Sequence, residues 1–133
     1  MTPPPITKAS RIATSIRVTT SFIGVHCWPN APSHRAYLAV PHRHKFGVSV
    51  EVSVTGHDRE IEFHDLLDEV NLALPTSSVR RIDASNEFLN MSCEHHAQRM
   101  LDLLAARYPD RELVVIVDED GECFSKVVSI PAC

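Results

Sequence analysis

The stretch HRHKFGVSVEVSVTG, residues 42–56, decides the fold. Valine stands at every second position (Val48, Val50, Val52, Val54), with Ser49, Glu51 and Ser53 between them. A strand has a side-chain period of two, so this pattern puts one apolar face against a core and one polar face away from it. The apolar parity also carries His42 and His44 at the head of the strand. Their Cα atoms lie roughly 6.5–7 Å apart by strand rise, close enough for two imidazoles to converge on one ion. A histidine near a core is otherwise a hydrogen-bonded packing residue, and an HxH pair alone leaves both readings open.

Upstream, residues 11–26 (RIATSIRVTTSFIGVH) read as a second long strand, with Ile12, Ile16, Val18 and Phe22 on one parity. His26 falls on that parity at the strand's end. The loop 27–41 contains three prolines, and an antiparallel hairpin across it brings the end of the first strand to the start of the second. His26, His42 and His44 then meet on one face at one end of the sheet. Three histidines with an open fourth position form the ligand set of a catalytic zinc, because neutral imidazole suits Zn²⁺ and the vacant position can polarise a substrate oxygen.

Downstream, Gly56-His57-Asp58-Arg59 reads as a turn, with His57 a turn residue. Residues 63–74 carry Phe63, Leu66, Leu67, Val70, Ala73 and Leu74 at helical spacing, and Pro75 ends the helix. His64 lies where it can help cap it. Residues 75–91 are polar and irregular. A second helix is expected over 93–108, with Ser92 as its N-cap and Ala97, Met100, Leu101, Leu104 and Tyr108 on one face. Residues 113–119 and 123–130 read as a hairpin around Glu119-Asp120-Gly121-Glu122. The order β-β-α-α-β-β predicts an α+β fold, an antiparallel four-stranded sheet with two helices on one face.

The bulk numbers agree with one ordinary globular domain. There are 133 residues, 44% hydrophobic and 23% charged, with a formal net charge of −4. Nothing in that charge suggests a nucleic-acid partner. No apolar run approaches the roughly 18 residues that span a bilayer. MTPPPITKAS lacks the apolar core of a secretory signal, so residues 1–10 are expected to be a flexible tail. Cysteines at 27, 93, 123 and 133 have no CxxC spacing, which points away from a disulfide framework and toward a reducing cytoplasm.

These motifs together resemble the 6-pyruvoyltetrahydropterin synthase and 6-carboxytetrahydropterin synthase family. That family carries a strand-end histidine, then HGH followed by an aromatic residue and alternating aliphatics up to a glycine. Here the match is His26, then His42-Arg43-His44-Lys45-Phe46, the valine run and Gly56. The family's "IDF" resembles Ile61-Glu62-Phe63, its "NPTSE" or "TTEN" resembles Asn90-Met91-Ser92-Cys93-Glu94, and its "V-x-E-T" resembles Val117-Asp118-Glu119-Asp120. The resemblance runs in order from about residue 16 to 128. It implies a T-fold over residues 11–133, a homo-oligomer (usually a hexamer) with sites between subunits, and zinc held by His26, His42 and His44. It also implies a pterin anchored by the carboxylate of Glu119 and bordered by Ser92, Cys93 and Glu94. Without it, Glu119 reads as a solvated hairpin carboxylate.

The sequence departs from the family at its proton-transfer residues. The family's general-base cysteine lies four residues before HGH, where this chain has Leu38. Its Asp-His pair lies in "LDHxxLN", and the matching region, Ser77-Ser78-Val79-Arg80-Arg81-Ile82-Asp83, shows none. Cys27, next to His26, is the candidate replacement thiol; its other reading is a plain loop cysteine. Cys93 stands at a helix N-terminus, where the macrodipole is expected to lower a thiol pKa. His95 and His96, in the first helical turn, read either as structural helix-surface residues or as the source of an imidazole. Arg43, Lys45 and the Arg80-Arg81 pair meet phosphate or sit on a solvated or subunit-facing surface. Three functions follow. One is a zinc-dependent lyase acting on dihydroneopterin triphosphate or a related pterin. The second is a same-fold zinc enzyme with aldolase- or hydrolase-like chemistry. The third is a non-catalytic pterin- or purine-binding member.

Overall fold

The computed structural model describes residues 2–3, 11–75 and 77–132. Apart from residues 2 and 3, the expected tail over 1–10 lies outside them, as does Cys133. The valine alternation forms β2 (His42–Val54) and the upstream strand forms β1 (Thr14–His26). They pair antiparallel over their full length, Thr14 opposite Val54 and His26 opposite His42. Helix α1 (Phe63–Ala73) and helix α2 (Cys93–Arg107) follow, then the hairpin β3 (Leu113–Glu119) and β4 (Cys123–Ser129). The sheet is antiparallel with order β1-β2-β3-β4. This is the expected α+β arrangement of a four-stranded sheet and two helices, T-fold-like in its β-β-α-α-β-β order.

Parity sets the layers. Val18 faces Val50, Val50 faces Val115 and Val52 faces Leu113, so hydrocarbon meets hydrocarbon across three strands on one face. Leu66 and Val70 of α1 join Ala97, Met100, Leu101 and Leu104 of α2 against that face. Val50, Val52, Leu66, Val70, Ala97 and Val115 are fully buried. Each such aliphatic side chain larger than alanine contributes roughly 1.5–3 kcal/mol by leaving water.

The helix ends follow local chemistry. Glu62 caps α1 by accepting from the Asp65 amide at 3.0 Å, and His64 Nδ1 lies 3.0 Å from Glu62 Oε1, steadying that carboxylate. Ser92 caps α2 as expected, accepting from the His95 amide at 3.1 Å, while the Ser92 amide donates to His95 Nδ1 at 3.1 Å. This is a capping box closed by histidine in the place usually held by Glu or Gln.

The irregular regions are more ordered than their composition suggests. The first loop contains 3₁₀ turns over Ser33–Ala39, and a second short 3₁₀ segment spans Ser77–Arg80. Residues 86–91 return along the end of β1, where the Cys27 amide donates to the Leu89 carbonyl at 2.7 Å. In the β3–β4 turn, Asp120 and Gly121 both have positive φ (56° and 73°), as a tight hairpin turn requires.

Candidate metal centre and adjoining cleft

The register of β1 and β2 places His26 opposite His42 and Gly24 opposite His44, all on the core-facing side. With no side chain at Gly24, the rings close over that end of the sheet; a Cβ there would sit 3.1–3.3 Å from Val79, Phe46 and Phe22. Phe46, fully buried, forms the floor, its ring centroid 5.2 Å from that of His26 and 5.8 Å from that of His44. The three imidazole centroids lie 4.6, 5.2 and 5.0 Å from one another. One ligand nitrogen from each ring falls within 4.8 Å of the other two.

The outer nitrogens settle which atoms face inward. His26 Nδ1 lies 2.8 Å from the Met91 carbonyl, His42 Nδ1 lies 2.8 Å from the Val40 carbonyl, and His44 Nδ1 lies 2.6 Å from Asp120 Oδ2. Carbonyls only accept, so the Nδ1 atoms of His26 and His42 carry protons and donate, which leaves each Nε2 a free lone pair. The Asp120 carboxylate imposes the same tautomer on His44. Metal-binding histidines show this pattern, with an outer acceptor fixing both ring orientation and tautomer. The donor set fits a zinc ion: three neutral imidazoles bound about 2.0–2.1 Å from a tetrahedral centre have ring centroids about 5 Å apart.

The electrostatics agree. Burial pushes the His26 pKa below its ordinary value, only partly offset by the Met91 carbonyl and Glu119, and the two neighbouring imidazoles push it the same way as burial. A neutral ring is the form that binds a metal. Asp120 is held below the usual carboxylate range by the His44 hydrogen bond and the Lys45 amide, which donates to Asp120 Oδ1 at 2.8 Å.

Glu119 ends β3 opposite Phe46, on the same face as the histidines. Its Oε1 lies 3.4 Å from His26 Nε2 and its Oε2 lies 3.7 Å from His44 Nε2. Beside it opens a cleft of about 550 Å³, lined by His26, His42, Glu119, Cys27, Leu38 and Trp28 among others. Ser92, Cys93 and Glu94 line the same cleft from the start of α2. Every expected site residue except His44 therefore borders one space, and His44 joins through the imidazole cluster. No Lys or Arg lines the cleft among the described residues.

Individual roles differ from expectation in two places, Cys93 and His96. The Cys93 thiol is pushed up by burial, not lowered by the helix dipole. It donates to the Val117 carbonyl at 2.9 Å, inside the α2–sheet interface, where desolvation of a thiolate outweighs the partial charge of the helix end. His96 is buried, 5% exposed, instead of on the helix surface. Its ring packs against Phe22, Phe46 and Phe88. Arg43 and Lys45 are exposed on the opposite sheet face, away from the cleft. Cys27 is half-buried, its Sγ–H donating to Asn90 Oδ1 at 3.4 Å. Glu94 is held low by its own amide and by the Ser92 hydroxyl.

Sequence reasoning missed the outer acceptors. The Met91 and Val40 carbonyls are backbone groups with no sequence signal. Asp120 was legible only through the β2–β3 register, which sets the turn beside Lys45, where the Asp120 amide donates to the Lys45 carbonyl at 2.8 Å. A scan against protein-family models and a search of curated proteins returned no match.

Proposed function

We propose that the chain is a zinc-dependent enzyme acting on a pterin, with lyase-type chemistry of the tetrahydropterin-synthase kind. The observation that supports this most is the convergence of three Nε2 lone pairs at the mouth of a cleft that also holds Glu119 and a free thiol. His26, His42 and His44 hold the ion, which when bound supplies a Lewis acid that polarises a side-chain oxygen of the substrate. Glu119 accepts hydrogen bonds from the ring N–H and amino donors of the heterocycle and so orients it. Leu38 lines the cleft without proton-transfer capacity. Cys27 Sγ, oriented by Asn90, takes the role of proton acceptor from the substrate side chain. Ser92 and Glu94 border the bound ring. The protein acts as a homo-oligomer, expected to be a hexamer, for which the edges of β1 and β4, outermost in the sheet among the described residues, supply the joining surfaces.

A second reading is favoured by the lack of Lys or Arg among the described residues that line the cleft. A triphosphate needs cationic or amide donors. The same centre without them suits a pterin that lacks the triphosphate, and retro-aldol cleavage of its side chain. One experiment separates the two. The zinc-loaded protein is incubated with dihydroneopterin triphosphate or with dihydroneopterin, and products are followed by mass spectrometry. Turnover of the first alone supports the lyase; turnover of the second alone supports the aldolase-like reading; bound zinc with neither product contradicts both. Cys27→Ala is expected to lower turnover at least tenfold, and unchanged turnover would exclude Cys27 as the base.

A further inference from the structure

The Glu119 carboxylate stands beside two imidazoles of the cluster, those of His26 and His44. Donors of a tetrahedral zinc site with bonds of about 2.0–2.1 Å lie about 3.3 Å from each other. Glu119 Oε1 is 3.4 Å from His26 Nε2 and Oε2 is 3.7 Å from His44 Nε2. These two separations are long for hydrogen bonds and close to two edges of a coordination tetrahedron. Glu119 lies outside the 4.8 Å group that the three imidazoles form, so the third edge, to His42, closes only when the carboxylate turns inward. Both imidazoles offer those Nε2 atoms as lone pairs, since His26 Nδ1 is engaged by the Met91 carbonyl and His44 Nδ1 by Asp120. A lone pair facing a carboxylate oxygen is repulsive unless a cation or a proton lies between them.

The backbone holds the carboxylate there. Glu119 is the last β3 residue, and the next residue is clamped to β2 twice, through the Asp120 amide to the Lys45 carbonyl and through Asp120 Oδ1 to the Lys45 amide. The side chain is 28% exposed, on the wall between the cluster and the cleft.

We propose that Glu119 is the fourth metal ligand when the cleft is empty, giving a closed His₃Glu centre that opens only when an incoming molecule draws the carboxylate away. This rests on the three-histidine metal reading. It assigns Glu119 two successive partners: the metal at rest, and the donors of the bound heterocycle afterwards. The centre is thereby shielded from adventitious small ligands until the cleft is filled.

The test uses Co²⁺ as a visible-absorbing probe, titrated into the metal-stripped 133-residue chain. Wild type is expected to bind one Co²⁺ with the intense visible bands of a four-coordinate centre. Glu119→Gln, which keeps side-chain shape, and Glu119→Ala should each weaken Co²⁺ binding about tenfold or more and shift those bands. Neopterin added to the wild-type Co²⁺ protein should produce a similar shift, and none in Glu119→Gln. Wild-type affinity and unchanged bands in both variants would overturn the proposal while leaving the three-histidine site standing. Failure of the wild type to bind Co²⁺ would overturn the metal reading and this proposal together.

Discussion

Asp120 grips His44 Nδ1 at 2.6 Å with one oxygen and the Lys45 amide at 2.8 Å with the other, so a single carboxylate fixes the orientation of one imidazole and the approach of β3 to β2. A carboxylate on the far nitrogen raises ligand basicity as well as holding the ring. Asp120→Asn is expected to weaken zinc binding about 10–100-fold, read by competition with a chromophoric chelator. An unchanged affinity would assign Asp120 to the turn alone. A second residue, His96, reports on burial. Desolvation among three phenyl rings pushes its pKa down to about 4, from an ordinary 6.5. The unfolded chain therefore binds a proton that the folded chain refuses between those values, so stability is intact above pH 6.5 and falls as pH drops toward 4. One such proton is worth about 1.4 kcal/mol per pH unit. Denaturant unfolding of wild type and His96→Leu across pH 4–7 should show a shallower pH dependence in the variant; parallel curves would contradict a neutral, buried His96.

Among the elements, β2 was legible because its valine alternation is unbroken, whereas the first strand, read from residue 11, begins at Thr14 and leaves Ile12 exposed. Residues 113–119 were bounded correctly from sequence, because the apolar run from Leu113 to Val117 ends where the turn residues begin. Helix α2 was legible from the Ser92 cap and its 3.6-residue stripe. The polar segment between the helices was not, because its order comes from backbone turn hydrogen bonds and one buried side chain, neither with a periodic signature. Asn86, 3% exposed, donates from Nδ2 to the carbonyls of Val25 (3.2 Å), Val79 (3.0 Å) and Arg81 (2.8 Å), and accepts from the Phe88 amide at 2.9 Å. It ties this segment to β1 one residue from His26, and five residues on, the Met91 carbonyl receives the His26 proton. Asn86→Ala leaves several buried backbone groups unpaired and is expected to cost roughly 2–4 kcal/mol in denaturant unfolding, with weaker zinc binding as well. A variant as stable as wild type would remove Asn86 from this role. The convergence of His26, His42 and His44 itself followed from parity and register. The Cys93 pKa and the burial of His96 did not, since both depend on how α2 packs against the sheet and not on its own sequence.

For the whole molecule, one apolar layer between sheet and helices carries the stability, and the imidazole cluster occupies one end of the same face. Leu66, fully buried where α1 meets the sheet, tests the layer: Leu66→Ala should lower unfolding free energy by about 2–5 kcal/mol with an unchanged denaturant slope. The open sheet edges at β1 and β4 predict self-association, so sedimentation should give a mass several times the 14.8 kDa of one chain; a monomer at micromolar concentration would contradict the assembly. The central claim is that His26, His42 and His44 form a metal centre, and elemental analysis of protein purified without chelator tests it most directly. The account predicts close to one zinc per chain in wild type and little or none in His42→Ala or His44→Ala. Wild-type protein that retains no metal even when offered zinc, or variants that hold as much as wild type, would contradict it.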